Sequence, residues 1–255
     1  MRINHNIIAM NNHRNMALNN VAAGKSMEKL ASGLRINRAA DDAAGLSISE
    51  VMRGQIRGLQ QAQRNAQDGI SFVQTAEGAM NEVSAMLVRM KELIVQRSNG
   101  TYSSVDIRNI SEELDELGQQ IDDIMTNTAF NGISITKGVS IVVDDINTKI
   151  AIDQIQTGSF TGLNSTSDLD AINAAIKAVA TQRANLGAKQ NRLEYTSNNL
   201  GTTIENLSAA ESRIRDTDMA YEMVQLTRSN ILLQASQAML AQANFAPQGV
   251  LSLLQ

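Results

Sequence analysis

The chain has no cysteine and no tryptophan, and its 255 residues include a single proline, Pro247. Without cysteine it can form no disulfide, thiolate metal site or thiol nucleophile. Its four Phe and three Tyr are few, which argues against a thick globular core and favours slender packing of helix against helix. Because proline is the strongest helix breaker, the stretch before Pro247 can form very long helices.

Charge and hydropathy exclude two further classes of protein. The net charge of −4 is too small and of the wrong sign for a nucleic-acid binder. No apolar run approaches the ~18 residues that span a bilayer, so membrane insertion is not expected. Asn and His interrupt the N-terminal stretch where a secretory signal would be apolar, so residue chemistry alone predicts a cytoplasmic protein.

The two ends of the chain carry opposite charge. Residues 1–40 contain six Lys or Arg and one Glu, whereas residues 216–255 contain one Arg and three acidic residues. This pattern fits pairing of the two ends, although each exposed ion pair contributes only up to about 1 kcal/mol. A solvated helix face and a weak membrane-surface patch are the alternative interpretations of the basic end.

A regular apolar stripe runs from Ile172 to Ile214. Its members alternate at spacings of four and three residues, and most are Ile, Val or Leu. They are residues 172, 176, 179, 183, 186, 190, 193, 197, 200, 204, 207, 211 and 214. This spacing keeps one helix face directed at a partner helix, as in a coiled coil.

Both ends carry a narrower stripe. The first twenty residues contain seven Asn, with apolar side chains at Ile3, Ile7, Met10 and Leu18. The corresponding C-terminal positions are Met219, Met223, Leu226, Leu233 and Leu240. Most of the stability of a protein helix comes from packing, which so narrow a stripe cannot supply alone. We therefore expect the ends to pack on each other and on other molecules.

Local signals delimit the remaining elements. A first helix is expected over residues 3–32 and ends at Gly33, an irregular junction covers 34–45, and a second helix extends to residue 98. Either Ser103 or Ser104 can cap a third helix.

The apolar period changes after the turn signal Asn131-Gly132. Alternating apolar residues predict a β-hairpin near 133–156, and the polar stretch 157–167 is the expected exposed loop tip. The predicted fold is mainly α: long coiled-coil-like helices that form a rod-shaped bundle with a small β-hairpin. Residues 1–43 with 216–255 are expected to form a terminal coiled-coil domain, and 44–215 a helical-bundle domain.

No combination of residues points to catalysis, a metal or a cofactor. His5 and His13 lie roughly on one helix face but have no further ligands nearby, so we interpret them as polar helix surface. Asp41 and Asp42 are sequence neighbours whose side chains diverge, and one of them is expected to cap the second helix. The sequence therefore does not predict an enzyme.

Several ordered segments resemble bacterial flagellin. In the first half these are residues 30–45 (LASGLRINRAADDAAG), 64–71 (RNAQDGIS) and 130–132 (FNG). In the second half they are residues 186–193 (LGAKQNRL), 212–218 (SRIRDTD), 240–244 (LAQAN) and 250–255 (VLSLLQ). The similarity covers nearly the whole chain except about 138–170, where large flagellins insert variable outer domains.

The resemblance implies a structural subunit that polymerises into the helical flagellar filament for motility. The terminal helices would pair as the inner tube, with Ile3, Ile7, Met10, Leu226, Leu233 and Leu240 as filament-assembly residues. It also implies export by the flagellar type III apparatus to the extracellular flagellum, which overrules the cytoplasmic prediction. Expected partners are other flagellin subunits, an export chaperone, the filament cap and the hook-junction proteins. Alternatives are a hook–filament junction protein and a non-flagellar helical binding module.

One further segment is similar to the flagellin stretch that binds the vertebrate Toll-like receptor for flagellin. It covers residues 87–96 (LVRMKELIVQ). The resemblance assigns receptor contacts to Arg89 and Leu93, four residues apart on one helix, and to Glu113 on the next helix. It implies that the free subunit, rather than the filament, binds the receptor.

Overall fold

The computed structural model describes the backbone of residues 6–253 and the side chains of residues 6–245. Its helices are α1 (Ile7–Ser32), α2 (Ala43–Arg97), α3 (Ser104–Asn127), α4 (Leu169–Arg215) and α5 (Met219–Leu253). Two antiparallel hairpins lie between α3 and α4, formed by β1 (Ala129–Phe130) with β2 (Ile133–Ser134) and β3 (Val139–Val142) with β4 (Lys149–Ile152). The prediction of a mainly helical fold with a small hairpin is confirmed.

The chain divides into two compact units. Unit 1 comprises Met1–Gly54 and Leu207–Gln255, and unit 2 comprises Gln55–Asn206. The boundaries differ from the predicted ones at 43 and 216 because the first turns of α2 and the last turns of α4 group with the terminal helices. Two ion pairs join those turns within unit 1, Arg53–Glu211 at 3.3 Å and Arg215–Glu50 at 2.6 Å.

Capping residues set the helix ends. The Asn6 side chain accepts a hydrogen bond from the N–H of Ala9 and caps α1 before Ile7, while the predicted start at residue 3 lies outside the described residues. Gly33 ends α1 in the left-handed conformation (φ 72°), as predicted. Ser103 caps α3 through a capping box with Asp106, whose carboxylate has a lowered pKa because it accepts hydrogen bonds from Ser103.

The predicted stripe of α4 is the core-facing side of that helix. Its buried members recur every seven residues, at Ile172, Val179, Leu186, Leu193 and Leu200. The alternate members are half-buried, and none of the thirteen positions is exposed. In unit 2 this face packs into a continuous core with apolar residues of α2, α3 and the hairpins. The coiled-coil-like spacing therefore predicted this face of the fold correctly.

The hairpin β3–β4 packs on the helices of unit 2. Ile141 pairs with Ile150, and both are buried. A Cβ added at Gly69 of α2 would clash with the side chain of Ile141, so glycine is what allows this close approach. The hairpin lies within the predicted range, and the tight turn at Asn131 and Gly132 (φ 50° and 77°) joins β1 to β2.

The loop after the hairpin is not an exposed tip, so that prediction was wrong. Phe160 is fully buried, and the loop is tied to α3 by polar contacts. Asp122 accepts from the N–H of Gly162 at 3.0 Å, and Asp115 accepts from the N–H of Ser165 at 2.7 Å. Acidic side chains spaced along α3 thus satisfy loop N–H groups, which a count of polar loop residues cannot reveal.

Candidate functional site

The face of α1 that packs on α5 is made mostly of small and amide side chains, with Met16 as a larger member. From Ala9 to Ser26 the least exposed positions of α1 recur at spacings of three and four. They are Ala9, Asn12, Met16, Asn19, Ala23 and Ser26, and Glu28, Lys29 and Leu30 after them are half-buried as well. Small side chains let two helices approach closely, but they bury little apolar area. The contact between the two terminal helices is therefore tight without being strongly stabilising.

The matching face of α5 alternates leucine with small or polar residues. Its buried or half-buried positions are Glu222, Leu226, Ser229, Leu233, Ser236 and Leu240. The leucines are half-buried on this face, while the covered face of α1 is made mostly of smaller residues. The leucine spacing is the heptad spacing of a two-helix coiled coil.

Polar contacts set α1 and α5 antiparallel. The Asn6 side chain donates to the carbonyl of Ala243 at 2.7 Å near one end of the pair. At the other end the Lys29 ammonium lies 3.7 Å from the carboxylate of Glu222, whose side chain is almost fully buried. The predicted pairing of a basic N-terminal end with an acidic C-terminal end is confirmed at this ion pair.

Most of the large apolar side chains of α1 are exposed rather than covered by α5. Ile7 is 64% exposed and Met10 is 70% exposed. The other exposed members of this set are Ile8, Leu18, Val21 and Met27. The covered side of α1 is therefore not its most apolar side, which is the reverse of the usual arrangement in a surface helix.

The outer face of α5 is apolar as well. Its exposed members are Met219, Tyr221, Met223, Val224, Ile231, Leu232, Met239 and Phe245. Met223, Val224, Ile231 and Leu232, with Thr227 and Arg228, line an open depression of about 430 Å³. We refer to the exposed apolar residues of α1 and α5 together as the outer apolar faces.

The structure separates the predicted assembly residues into two groups. Ile7 and Met10 lie on the outer apolar faces. Leu226, Leu233 and Leu240 are half-buried on the side of α5 that packs on α1 of the same chain. Within the subunit these three leucines lie on the side that packs on α1, and their role in filament assembly stays a prediction. Ile3 lies outside the described residues.

The outer residues Tyr221, Val224, Ile231 and Leu232 were not predicted. The predicted stripe covers a single side of α5 and does not include the apolar side chains on the other sides. The signal for them is the composition of 219–240, in which apolar residues occur all around the helix. A helix that is apolar on every side is one that other molecules or elements cover completely.

The linkers that follow α1 and precede α5 are joined to each other. Leu34 pairs with Asp216 in an isolated β-bridge, and the N–H of Arg35 donates to the carbonyl of Arg215 at 2.7 Å. The Arg35 guanidinium also donates to the carbonyl of Ile214. Within unit 1 these bonds connect the C-terminal end of α1 to the N-terminal end of α5, which fixes the register of their pairing.

The two neighbouring aspartates of the first linker have separate structural roles. Asp42 caps α2, as predicted for one of the pair, by accepting from the N–H of Gly45 at 2.9 Å. Asp41 accepts from the backbone N–H groups of Arg38 and Asn37, and these hydrogen bonds lower the pKa of its exposed carboxyl group. Each carboxylate is occupied by backbone N–H groups, so the two do not form a catalytic acid–base pair.

Arg89, Glu113 and Leu93 do not form one exposed patch. The Arg89 guanidinium bonds Glu113 of α3 at 2.9 Å, both side chains are about half exposed, and this hydrogen bond is the main cause of a raised pKa of Arg89. Leu93 is 1% exposed and belongs to the core of unit 2. The prediction that Leu93 contacts a receptor directly is therefore wrong for the folded subunit, because a core side chain offers no surface.

The described part of the chain offers neither a metal site nor a membrane-spanning helix. Within residues 6–245 no group of three or more His, Asp or Glu could hold a metal ion. His13 lies on the exposed surface of α1, whereas His5 is outside the described residues. Among the described helices none is long and apolar enough to cross a membrane.

Comparison with known proteins gives matches at both ends of the chain. The family model described as the bacterial flagellin N-terminal helical region matches residues 3–141. The model described as the bacterial flagellin C-terminal helical region matches residues 169–254. Residues between these matches form part of the hairpin β3–β4 and the loop that packs on α3.

Full-length relatives are similar over the entire chain. A flagellin of Halalkalibacterium halodurans is 51% identical, and a flagellin of Bacillus subtilis is 47% identical, with 100% of both chains covered in each comparison. Flagellin FlaB2 of Treponema pallidum is 43% identical, again with 100% of both chains covered. With two family models and these relatives spanning it, the chain belongs to the bacterial flagellin family.

Proposed function

We propose that neighbouring copies of this flagellin contact one another through the outer apolar faces of α1 and α5. As a member of its family the chain is a structural subunit that polymerises with other flagellin subunits into the flagellar filament. The observation that carries the proposal is the exposure of large apolar side chains, such as Ile7 and Ile231, along both helices. So many exposed large apolar side chains on two paired helices are typical of an interaction site.

The two faces of each terminal helix then have different roles. The inner side of α5, with Leu226, Leu233 and Leu240, holds α1 within the subunit. The outer sides are free to contact different surfaces of different neighbours, which is the heterologous contact that an open helical polymer requires. Assembly covers apolar area that the subunit alone leaves in water, and this burial stabilises the filament.

The export route, the location and the further partners follow from the resemblance to flagellins and are proposals for this chain. Export by the flagellar type III apparatus places it outside the cell. An export chaperone covers the outer face of α5 before assembly, which keeps its apolar side chains from premature association. The filament cap and the hook-junction proteins contact the terminal helices at the two ends of the filament. We assign no enzymatic activity, cofactor or metal.

The first expected result concerns hydrogen exchange in α1. Amides of residues 7–30 should exchange rapidly in the free subunit and become protected in the filament, because the inner face of α1 buries little apolar area. Amides in the core stretch of α2, residues 66–94, serve as the internal control and should be protected in both states. Equal protection of α1 in subunit and filament would contradict the proposal.

The partner proposed outside the bacterium is the vertebrate Toll-like receptor for flagellin. The exposed ion pair of Arg89 with Glu113 is the part of the predicted site that a receptor can reach. Leu93, beneath it in the core, can act only by supporting the helix that carries Arg89. An exposed Arg next to a partner surface is a frequent binding hot spot.

Charge reversal by Arg89→Asp should reduce receptor signalling by the free subunit at least about tenfold, the effect of losing a hot-spot contact. Stability should change little, because the ion pair is exposed. Arg64→Asp is the matched control, since Arg64 is an exposed arginine of the same helix whose guanidinium bonds only Gln61. A reporter assay decides the matter: undiminished signalling by Arg89→Asp, or equal loss in the control, rejects the assigned contact.

A further inference from the structure

We propose that five exposed methionines make assembly of the free subunit sensitive to oxidation. They are Met10 and Met27 on α1 and Met219, Met223 and Met239 on α5. The inference rests on the proposed function, because it requires the outer apolar faces to become subunit contacts. It adds a modification site, with a hydroperoxide or hypohalous acid as the oxidant.

Exposure divides the methionines of this chain into contrasting groups. The five on the terminal helices are between 48% and 70% exposed. Met80, Met90 and Met125, in the core of unit 2, are at most 2% exposed. Oxidant can reach the sulfur atoms of the first group directly, whereas the second group reacts only when unit 2 opens. One chain thus contains both the reactive set and its internal control.

The composition directs oxidants to these sulfur atoms. The chain has no cysteine and no tryptophan, so thiols and indoles do not compete with the methionine thioethers. In the reaction with a hydroperoxide, a lone pair on sulfur attacks the terminal peroxide oxygen. An S–O bond forms as the O–O bond breaks, sulfur is oxidised by two electrons, and the departing oxygen takes a proton as water or an alcohol. The product is methionine sulfoxide, which a reductase can return to the thioether.

A sulfoxide has opposite consequences in the free and assembled states. In the free subunit its oxygen remains in water, so the fold of α1 and α5 is little affected. In a subunit contact the polar group replaces a thioether that packs among apolar residues, as Met223 does beside Val224 and Leu232. A polar atom buried without a partner opposes association. Conversely, a neighbour that covers the thioether protects it from oxidant.

The experiment begins with the free full-length subunit treated with hydrogen peroxide. Peptide mass spectrometry should find sulfoxide at the five exposed methionines and little at Met80, Met90 and Met125. The critical concentration for polymerisation, measured by sedimentation, should rise at least about tenfold. Circular dichroism should be unchanged, and treatment with methionine sulfoxide reductases should restore assembly. Filaments formed before treatment should be oxidised more slowly at the same five positions.

A variant with all five methionines replaced by leucine tests whether these sulfur atoms are responsible. Measured against its own untreated sample, peroxide should change its critical concentration less than about twofold, because no exposed thioether remains on the outer apolar faces. Undiminished assembly of the oxidised wild-type chain overturns the inference. Equal sensitivity of the leucine variant, or failure of the reductases to restore the wild-type chain, also overturns it. Failure of the untreated wild-type chain to polymerise would instead overturn the proposed function.

Discussion

Replacing Ile231 by Asp should abolish polymerisation while the subunit keeps its helical content. Ile231 is 60% exposed on the outer face of α5, so a carboxylate there stays in water in the free subunit. In a subunit contact the same charge must be buried without a partner, at a cost of several kcal/mol in free energy. Sedimentation and electron microscopy after seeding measure assembly, and circular dichroism measures the fold.

Leu233→Asp distinguishes the two faces of the same helix. Leu233 is half-buried against α1, so we expect the charge to loosen the pairing of α1 with α5 in the free subunit and to prevent assembly as well. In the free subunit the amides of α1 should exchange faster in Leu233→Asp than in Ile231→Asp, whose α1 should exchange at the wild-type rate. Two control variants retain assembly: Ile231→Leu keeps the side chain apolar, and Asn230→Asp adds a charge at an exposed polar position. Filaments of normal length from Ile231→Asp reject the outer-face proposal.

Gly118→Ala should strongly destabilise unit 2. A Cβ at Gly118 of α3 would clash with the backbone carbonyl of Leu163, and backbone cannot move aside as a flexible side chain can. The loop must shift, which also disturbs the hydrogen bonds that the loop N–H groups donate to Asp115 and Asp122. We expect the free energy of unfolding of unit 2 to fall by about 2–4 kcal/mol.

Gly78→Ala is the matched control for that substitution. Gly78 is an exposed residue in the middle of α2, and nothing lies within 4 Å of a Cβ built there. Alanine should therefore stabilise α2 by about 0.5–1 kcal/mol through its higher helix propensity. Native-state hydrogen exchange of core amides in α2 and α3 gives both free energies. If both substitutions raised the free energy of unfolding, or both lowered it, the close approach of the loop to α3 would be contradicted.

Much of the fold follows from local signals in the sequence. Gly33 and Ser103 mark a helix end and a helix start because their conformation and capping are settled by near neighbours. The stripe of α4 is similarly reliable, because its repeat over many turns leaves only one side that can face a core. Asn131-Gly132 predicts a turn and the alternation in 139–152 predicts one hairpin for the same local reason, whereas the short hairpin β1–β2 around that turn was not predicted.

The errors concern contacts between distant residues. The loop 157–167 is polar, yet its backbone N–H groups find their acceptors on α3, at Asp115 and Asp122. Leu93 shares a helix side with Arg89 in sequence spacing, but its side chain belongs to the core of unit 2. A small angular difference around the helix therefore separates an exposed residue from a buried one.

From its residues alone, this chain is a long-helix protein of the flagellin type whose ends pair and assemble, since spacing determines which side chains share a face. Tertiary structure decides which of those faces is covered. On α1 the covered face carries Ala23 and Ser26, because small side chains permit the close approach of α5 and its leucines. Ile7 and Met10, on the other sides of the helix, remain exposed. Coverage depends on the fit between two distant segments, and periodicity within one segment does not contain that information.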